Sequence, residues 1–369
     1  MTAIPRTLRR LALGAAVLSF FTFATAAQEN VVHVYNWVDY IGENTIAEFE
    51  AETGIKVIYD TYDASETAEA KLLAGRSGYD VVLHSGSKIP EFVAAGIFQP
   101  LDKSKLPHWK HLDPDILKVL DGWDPGNAYG VPYMWGTTGI TYNMEMVTER
   151  LGENAPLDTL DIIMKPEYAA KVADCGISVL ESPRDVIPMI LSYLGKDPNS
   201  SDPADYDAVV EAFLPVRQYI KTFDSSNYLN ALPNKEVCVV NNWSGDYATA
   251  ASRAEEAGIE IELAYFVPKT GSPAWFDVWV IPSDAPNVEN AYKFIDFLLR
   301  PKVIADATNF TYYANANKDA AEFVDPAILA DPAIYPDAEL MSRLWTNKVL
   351  DRAADRARVR AWSRMKTGQ

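Results

Sequence analysis

The sequence predicts a two-lobed α/β protein whose binding site lies in the cleft between the lobes. Three observations lead there. Strand and helix signals alternate over two separate stretches, the length exceeds what one compact core accommodates, and no flexible linker divides the stretches.

The first element is not part of the fold. Arg6, Arg9 and Arg10 precede an apolar run from Leu11 to Ala24, and Ala24-Thr25-Ala26 places small residues at an A-x-A cleavage site. That is the layout of a secretory signal peptide over residues 1–26, and the apolar run is too short to cross a bilayer core of about 30 Å. Its removal leaves 343 residues with net charge −21, because the leader carries three arginines and no acid. Such a surface as a whole repels nucleic acid and anionic membranes and attracts small cations.

From Val31 to Gly96 the chain alternates strand and helix. Val32, Val34 and Tyr35 open a strand that ends at Asn36-Trp37; Ile46 and Phe49 mark a helix stopped by Gly54. Residues 55–59 read as a second strand. Asp63 and Glu66 have the spacing of a capping box that opens another helix, and residues 79–83 form a third strand. The repetition predicts a largely parallel sheet. A second lobe begins after residues 132–139. It holds a helix marked by Val209, Phe213, Val216 and Ile220, a buried strand from Glu236 that delivers Trp243, and a half-buried strand marked by Ile259, Ile261 and Leu263. A strand over 276–281 and a helix over 288–300, stopped by Pro301, follow. The expected division is 27–136 plus 256–314 for lobe 1, and 137–255 plus 315–369 for lobe 2.

Catalytic signatures are absent: no G-x-S-x-G, P-loop, H-E-x-x-H or G-x-G-x-x-G occurs. His108 and His111 stand three apart without a cysteine to complete a zinc set, and read as a solvated pair. Cys175 and Cys238 are an even count in an exported chain, which suggests one disulfide; two buried thiols are the alternative.

Aromatic residues beside acids recur where strands begin or end. Trp37 precedes Asp39 and Tyr40, Trp243 precedes Asp246, and Trp275 precedes Asp277; Tyr312-Tyr313 adds an aromatic pair. In α/β lobes, ligands sit beyond the carboxyl ends of strands. A diamine needs this mixture, because each ammonium offers three donors to carboxylates while flat rings cover the methylene chain and attract the cation.

On these residues the chain resembles the periplasmic polyamine-binding proteins of ABC importers, most of all their putrescine-binding members. The likeness rests on Val34-Tyr35-Asn36-Trp37, Asp39-Tyr40, residues 54–57 and 98–102, Tyr133-Met134-Trp135, Trp243, Gly245-Asp246, residues 276–278 and 313–317, and so runs over nearly the whole exported chain. The resemblance implies two α/β lobes of the type II binding-protein fold, a polyamine ligand, an inner-membrane ABC permease as partner, a monomer, no nucleic acid, no cofactor and no enzymatic activity. It implies an aromatic box of Trp37, Tyr40, Trp243, Trp275 and Tyr313. Asp39, Asp185, Asp246 and Asp277 match positions that bind the amines directly or through water, Ser85 matches a positioning hydroxyl, and Cys175 and Cys238 match a disulfide pair. There are departures. Val38 stands where relatives carry a hydroxyl and Asp185 where the putrescine binder has Glu. Trp275 replaces Phe, Asn347 replaces an apolar residue, and Ser87 and Ser182 stand where the spermidine binder has Tyr and an acid. They leave both putrescine and spermidine as expected ligands. Ferric iron, through Tyr312-Tyr313, a sugar stacked on the rings, or a secreted two-lobed enzyme are the competing readings.

Overall fold

A computed structural model describes residues 30–369 except residue 154; the leader lies outside the described residues. Among the described residues, eleven strands follow in chain order: β1 Val31–Trp37, β2 Lys56–Tyr62, β3 Val81–Ser85, β4 Val131–Asn143, β5 Ile177–Val179, β6 Ile220–Phe223, β7 Val239–Trp243, β8 Leu263–Phe266, β9 Ser272–Val280, β10 Ala314–Asn315 and β11 Leu344–Trp345.

The strands run in the order β2-β1-β3-β9-β4-β7-β5-β6. One long strand, β4, belongs to both halves. Its first part, up to Thr137, pairs with β9; its second, from Thr138, pairs with β7. Continuous backbone therefore joins the two α/β lobes, the kind of connection about which lobes can rotate. In each lobe the outer strands are parallel, β2-β1-β3 in the first and β7-β5-β6 in the second. The sheets are nevertheless mixed, because β9 runs antiparallel to both β3 and β4, and β4 antiparallel to β7. Chain that crosses between lobes and returns must reverse direction, which the local strand–helix repetition does not reveal.

Two stretches depart from the expected lobe division. β8 pairs with β4 at Ile140–Asn143, and Leu263 and Phe266 pack on the second lobe's core, not the first. Ala316, Ala320, Val324, Ile328 and Ile334 pack into the first lobe's core with Phe49 and Phe294, not the second. The strand expected from Ile259 begins only at Leu263. Burying an aromatic such as Phe49, fully enclosed against Phe294 and Phe297, stabilises by about 1.5–3 kcal/mol. The final helix, Arg352–Thr367, packs on helices Pro203–Arg217 and Pro183–Tyr193 and completes the second lobe.

Cys175 and Cys238 form a disulfide, with Cα atoms 5.5 Å apart and 63 positions of chain between them. By loop entropy, closing that length destabilises the unfolded chain by about 4 kcal/mol. The bridge ties the turn before β5 to the start of β7, two neighbouring strands of the second lobe.

Candidate functional site

The cleft between the lobes encloses about 1230 Å³, counting its solvent-open mouth, and Trp37, Asp39, Tyr40, Ser85, Asp185, Trp243, Asp246, Trp275, Asp277 and Tyr313 all line it. Their convergence follows from strand geometry. Trp37, Ser85 and Trp243 are the last residues of β1, β3 and β7. Trp275 and Asp277 are two apart on β9 and share a face, while Phe276 between them turns into the core of the first lobe. Ser85 pairs with Asp277 across the β3–β9 ladder, so the end of one strand fixes the height of the other's carboxylate.

The aromatic walls form a continuous surface. Tyr40 and Tyr313 meet edge to face at 5.3 Å, Tyr313 and Trp275 likewise at 5.3 Å, and Trp37 faces Trp243 across the lobes at 6.4 Å. Glycines admit this closeness. A Cβ on Gly136 would lie 2.6 Å from the Trp275 ring, and one on Gly245 would lie 2.8 Å from the Tyr313 ring.

Three carboxylates are set among these rings, and none forms an ion pair with a protein cation. Asp246 opens the helix Ser244–Glu256 and accepts hydrogen bonds from Tyr313 Oη at 2.5 Å and from Tyr228 Oη. Burial pushes it up to about 6 against the pull of those two hydroxyls. Asp277 is pushed up to about 7 by burial, with the Asp185 charge adding to the rise and the neighbouring Tyr40 hydroxyl opposing it. That hydroxyl is buried and makes no well-formed hydrogen bond of its own. Asp185 accepts from Ser182 Oγ at 2.5 Å and Thr138 Oγ1 at 2.9 Å, and burial raises it despite both.

Asp39 differs from the other acids. Its backbone is left-handed, at φ 55°, its side chain is 52% exposed, and it pairs at 2.7 Å with Arg253 of the opposite lobe. It therefore sits at the rim of the cleft, bound to the protein itself.

Several lining residues have no aromatic–acid signature. Asp63 and Glu66 do not cap the helix Ser65–Leu73; its N-cap is Ala64, without a side-chain hydrogen bond, and both acids face the cleft instead. Arg184 lines the cleft and reaches Glu69 of the first lobe at 3.0 Å. Trp123 donates through Nε1 to the carbonyl of Asn347, whose amide in turn donates to the carbonyl of Arg184. Tyr228, which holds Asp246, lies 18 positions before it with nothing in the local pattern to mark it.

The competing metal readings find little geometry. Tyr312 takes a left-handed backbone at the end of the helix Pro301–Thr311, and only Tyr313 of that pair lines the cleft. His108 and His111 stack at 5.8 Å, and each Nδ1 pairs with a carboxylate, of Asp296 and Asp319. Among the described residues no group of three or more His, Cys, Asp or Glu side chains is placed to hold a metal ion, and no helix is long and apolar enough to cross a membrane.

Two α/β lobes joined through β4, with a ring-walled acidic cleft between them, define a solute receptor of the type II binding-protein fold. The chain belongs to the bacterial extracellular solute-binding proteins, whose family model matches residues 44–336. It is 45% identical to the putrescine-binding periplasmic protein PotF of Escherichia coli over the full length of both. It is 34% identical to the spermidine/putrescine-binding periplasmic protein of the same organism, over 92% of each chain. Among solved structures it superposes on the spermidine/putrescine ABC transporter substrate-binding protein PotD of Streptococcus pneumoniae with TM-score 0.75 and 30% identity, covering 92% of this chain and 99% of that one. By this relationship the chain is a periplasmic transport protein and not an enzyme.

Proposed function

We propose that the protein binds putrescine and spermidine in its interlobe cleft and delivers them to an inner-membrane ABC permease. One observation carries the reading: Asp185, Asp246 and Asp277 are enclosed among aromatic rings and none is ion-paired, with Arg184 and Arg253 acting on Asp185 and Asp246 only from beyond ion-pair distance. Enclosed carboxylates of this kind are costly unless a partner of opposite charge arrives. A polyamine supplies that charge at each amine and lays its methylenes on Trp37, Tyr40, Trp243, Trp275 and Tyr313. Ser85 adds an acceptor, and Asp39 acts at the rim. The relatives' names support the same ligand class. A sugar would leave the three acids without charge partners.

Residues 1–26 serve as a cleavable export leader; the mass of the protein recovered from the periplasm checks the cleavage after Ala26. Calorimetry with putrescine, spermidine, glucose and ferric citrate tests the ligand class. Both polyamines bind and the other two do not; a glucose or ferric isotherm with silent polyamines overturns the reading. Because each lobe contributes part of the site, small-angle scattering shows a smaller radius of gyration at saturating polyamine.

A further inference from the structure

Charge is unevenly spread over this chain. The whole carries −18, yet the helix Arg352–Thr367 holds six basic residues and one acid. Ala354, Ala357, Ala361, Trp362 and Met365 bury one of its faces in the second lobe. Three of the cations are engaged inside that lobe: Arg358 with Asp355, Arg364 with Asp207 and Lys366 with Glu181.

Arg352, Arg356 and Arg360 are not. All three are exposed, and among the described residues none has a carboxylate within ion-pair distance. Spaced four apart, they form one row on the outward side, about 6 Å from each other along the axis. Val359, 52% exposed, lies on the same side, and exposed Lys348 and Val349 stand in the segment that leads into the helix. The helix gains little from this arrangement beyond the pull of Arg356 on its N-cap carboxylate, Asp351. Like charges four apart repel, and Arg352 in the first turn opposes the helix dipole. The row is an internal cost, which points to a partner outside the chain.

We propose that this row docks the protein on anionic phospholipid headgroups at the surface of the membrane that carries its importer, an inference that rests on the function proposed above. Guanidinium groups bind phosphate in a bidentate fork, and a headgroup layer is a continuous array of such phosphates, so a straight row needs no matching register. Val359 beside the row suits the boundary between headgroups and acyl chains. A protein partner would be expected to find an aromatic anchor or a pocket, and the row offers neither. The acids elsewhere on the chain do not cancel the attraction, because charges are screened over about 8 Å at physiological ionic strength. At about 1 kcal/mol per arginine the contact is weak and reversible, which suits a carrier that shuttles.

The test is co-sedimentation of the whole protein with vesicles at physiological ionic strength, about 0.15 M salt. One set is phosphatidylcholine alone, and the other contains phosphatidylglycerol as well. The wild type partitions onto the anionic vesicles and not the neutral ones, and R352Q/R356Q/R360Q loses roughly a hundredfold of that partitioning. The same triple variant keeps its polyamine affinity by calorimetry, which shows it folded. Equal binding to neutral vesicles, or unchanged binding by the triple variant, overturns the proposal. So does a wild-type dimer, seen by sedimentation velocity without lipid and abolished in the variant, which would make the row a contact between copies. If the wild type binds no polyamine yet still partitions onto anionic vesicles, the proposed ligand fails and the docking surface stands.

Discussion

Asp246 and Asp277 face the same cleft from opposite lobes, and the protein treats them differently. Asp246 stands in the first turn of a helix, where the dipole favours an anion, and two tyrosine hydroxyls donate to it. Asp277 stands in mid-strand, with no helix dipole, with the Tyr40 hydroxyl as its one neighbouring donor, and with the Asp185 charge nearby. Burial lifts both, but Asp246 stops at about 6 and Asp277 reaches about 7. One carboxylate is prepared by the protein's own donors; the other is left for the ligand to complete. In the second lobe the amine meets a preorganised acceptor. In the first it must draw a proton off an acid that is about half neutral at pH 7.

The comparison is most directly broken at Asp277. Asp277→Asn keeps the shape and removes the charge, so polyamine affinity falls by about 1.5–3 kcal/mol, roughly ten- to 150-fold. The ligand-free protein meanwhile holds or gains thermal stability, because an unpaired buried acid is gone. Asp246→Asn also loses affinity but gains less ligand-free stability, because Tyr228 and Tyr313 lose a charged acceptor. Calorimetry and thermal unfolding of the pair check this, and equal unfolding shifts in the two variants would erase the distinction.

The next effect is pH. A carboxyl raised in the folded state contributes stability that is present below its unfolded value of about 3.9 and is lost as pH rises through the folded value. For ligand-free protein, the contributions of Asp246 and Asp277 therefore fall between about pH 4 and pH 7. Ligand binding runs the other way, because the amines require the ionised form. Lowering the pH from about 7.5 to 5.5 weakens polyamine binding by about one to two orders of magnitude, and binding near neutrality releases protons. Titrations in buffers of different ionisation enthalpy read that release. A flat profile would mean that both acids are already ionised in the empty cleft.

Smaller still is Tyr313→Phe, which removes one of the two donors to Asp246. Affinity at pH 7 falls about fivefold, about 1 kcal/mol, and the acid limb of the profile moves to higher pH. A loss of affinity with an unmoved limb would assign Tyr313 to the wall of the box alone. The finest test is Trp275→Phe. If the larger ring supports a longer ligand, spermidine weakens more than putrescine, by about 0.5–1.5 kcal/mol. Equal losses would remove Trp275 from any account of ligand length.

What could be read from the residues divides along the same physical line. Trp37 and Trp243 are legible as cleft-lining residues because strand ends in α/β lobes face the cleft; Trp275 and Asp277 read as a strand start but lie within β9, where being two apart puts them on one face. The carboxylates' surroundings are not legible. Tyr228 and Arg253 reach Asp246 and Asp39 through tertiary proximity, and no short-range pattern encodes an ion pair 214 positions apart. Asp63 and Glu66 carry the spacing of a capping box, yet they turn to the cleft, since a local motif takes no account of what lies across the gap. β8 joins the second lobe and not the first for the same reason: its alternation specifies a half-buried strand but not which sheet receives it.

The position of β9 has a consequence for how the chain comes together in time. It lies between β3 and β4, so the first sheet has a gap at its centre until residues 272–280 arrive. Between β3, which ends at Ser85, and β9, which begins at Ser272, the whole central part of the second lobe must be threaded. Closing a sheet across so long a span is entropically slow, and the early strands β1, β2 and β3 expose an unpaired edge while they wait. The first lobe is therefore expected to be late to complete although it is first in sequence. The second lobe, with β4, β5, β6, β7 and its disulfide closer together along the chain, is the natural early folding unit, and pulse-labelled hydrogen exchange during refolding should find its amides protected first.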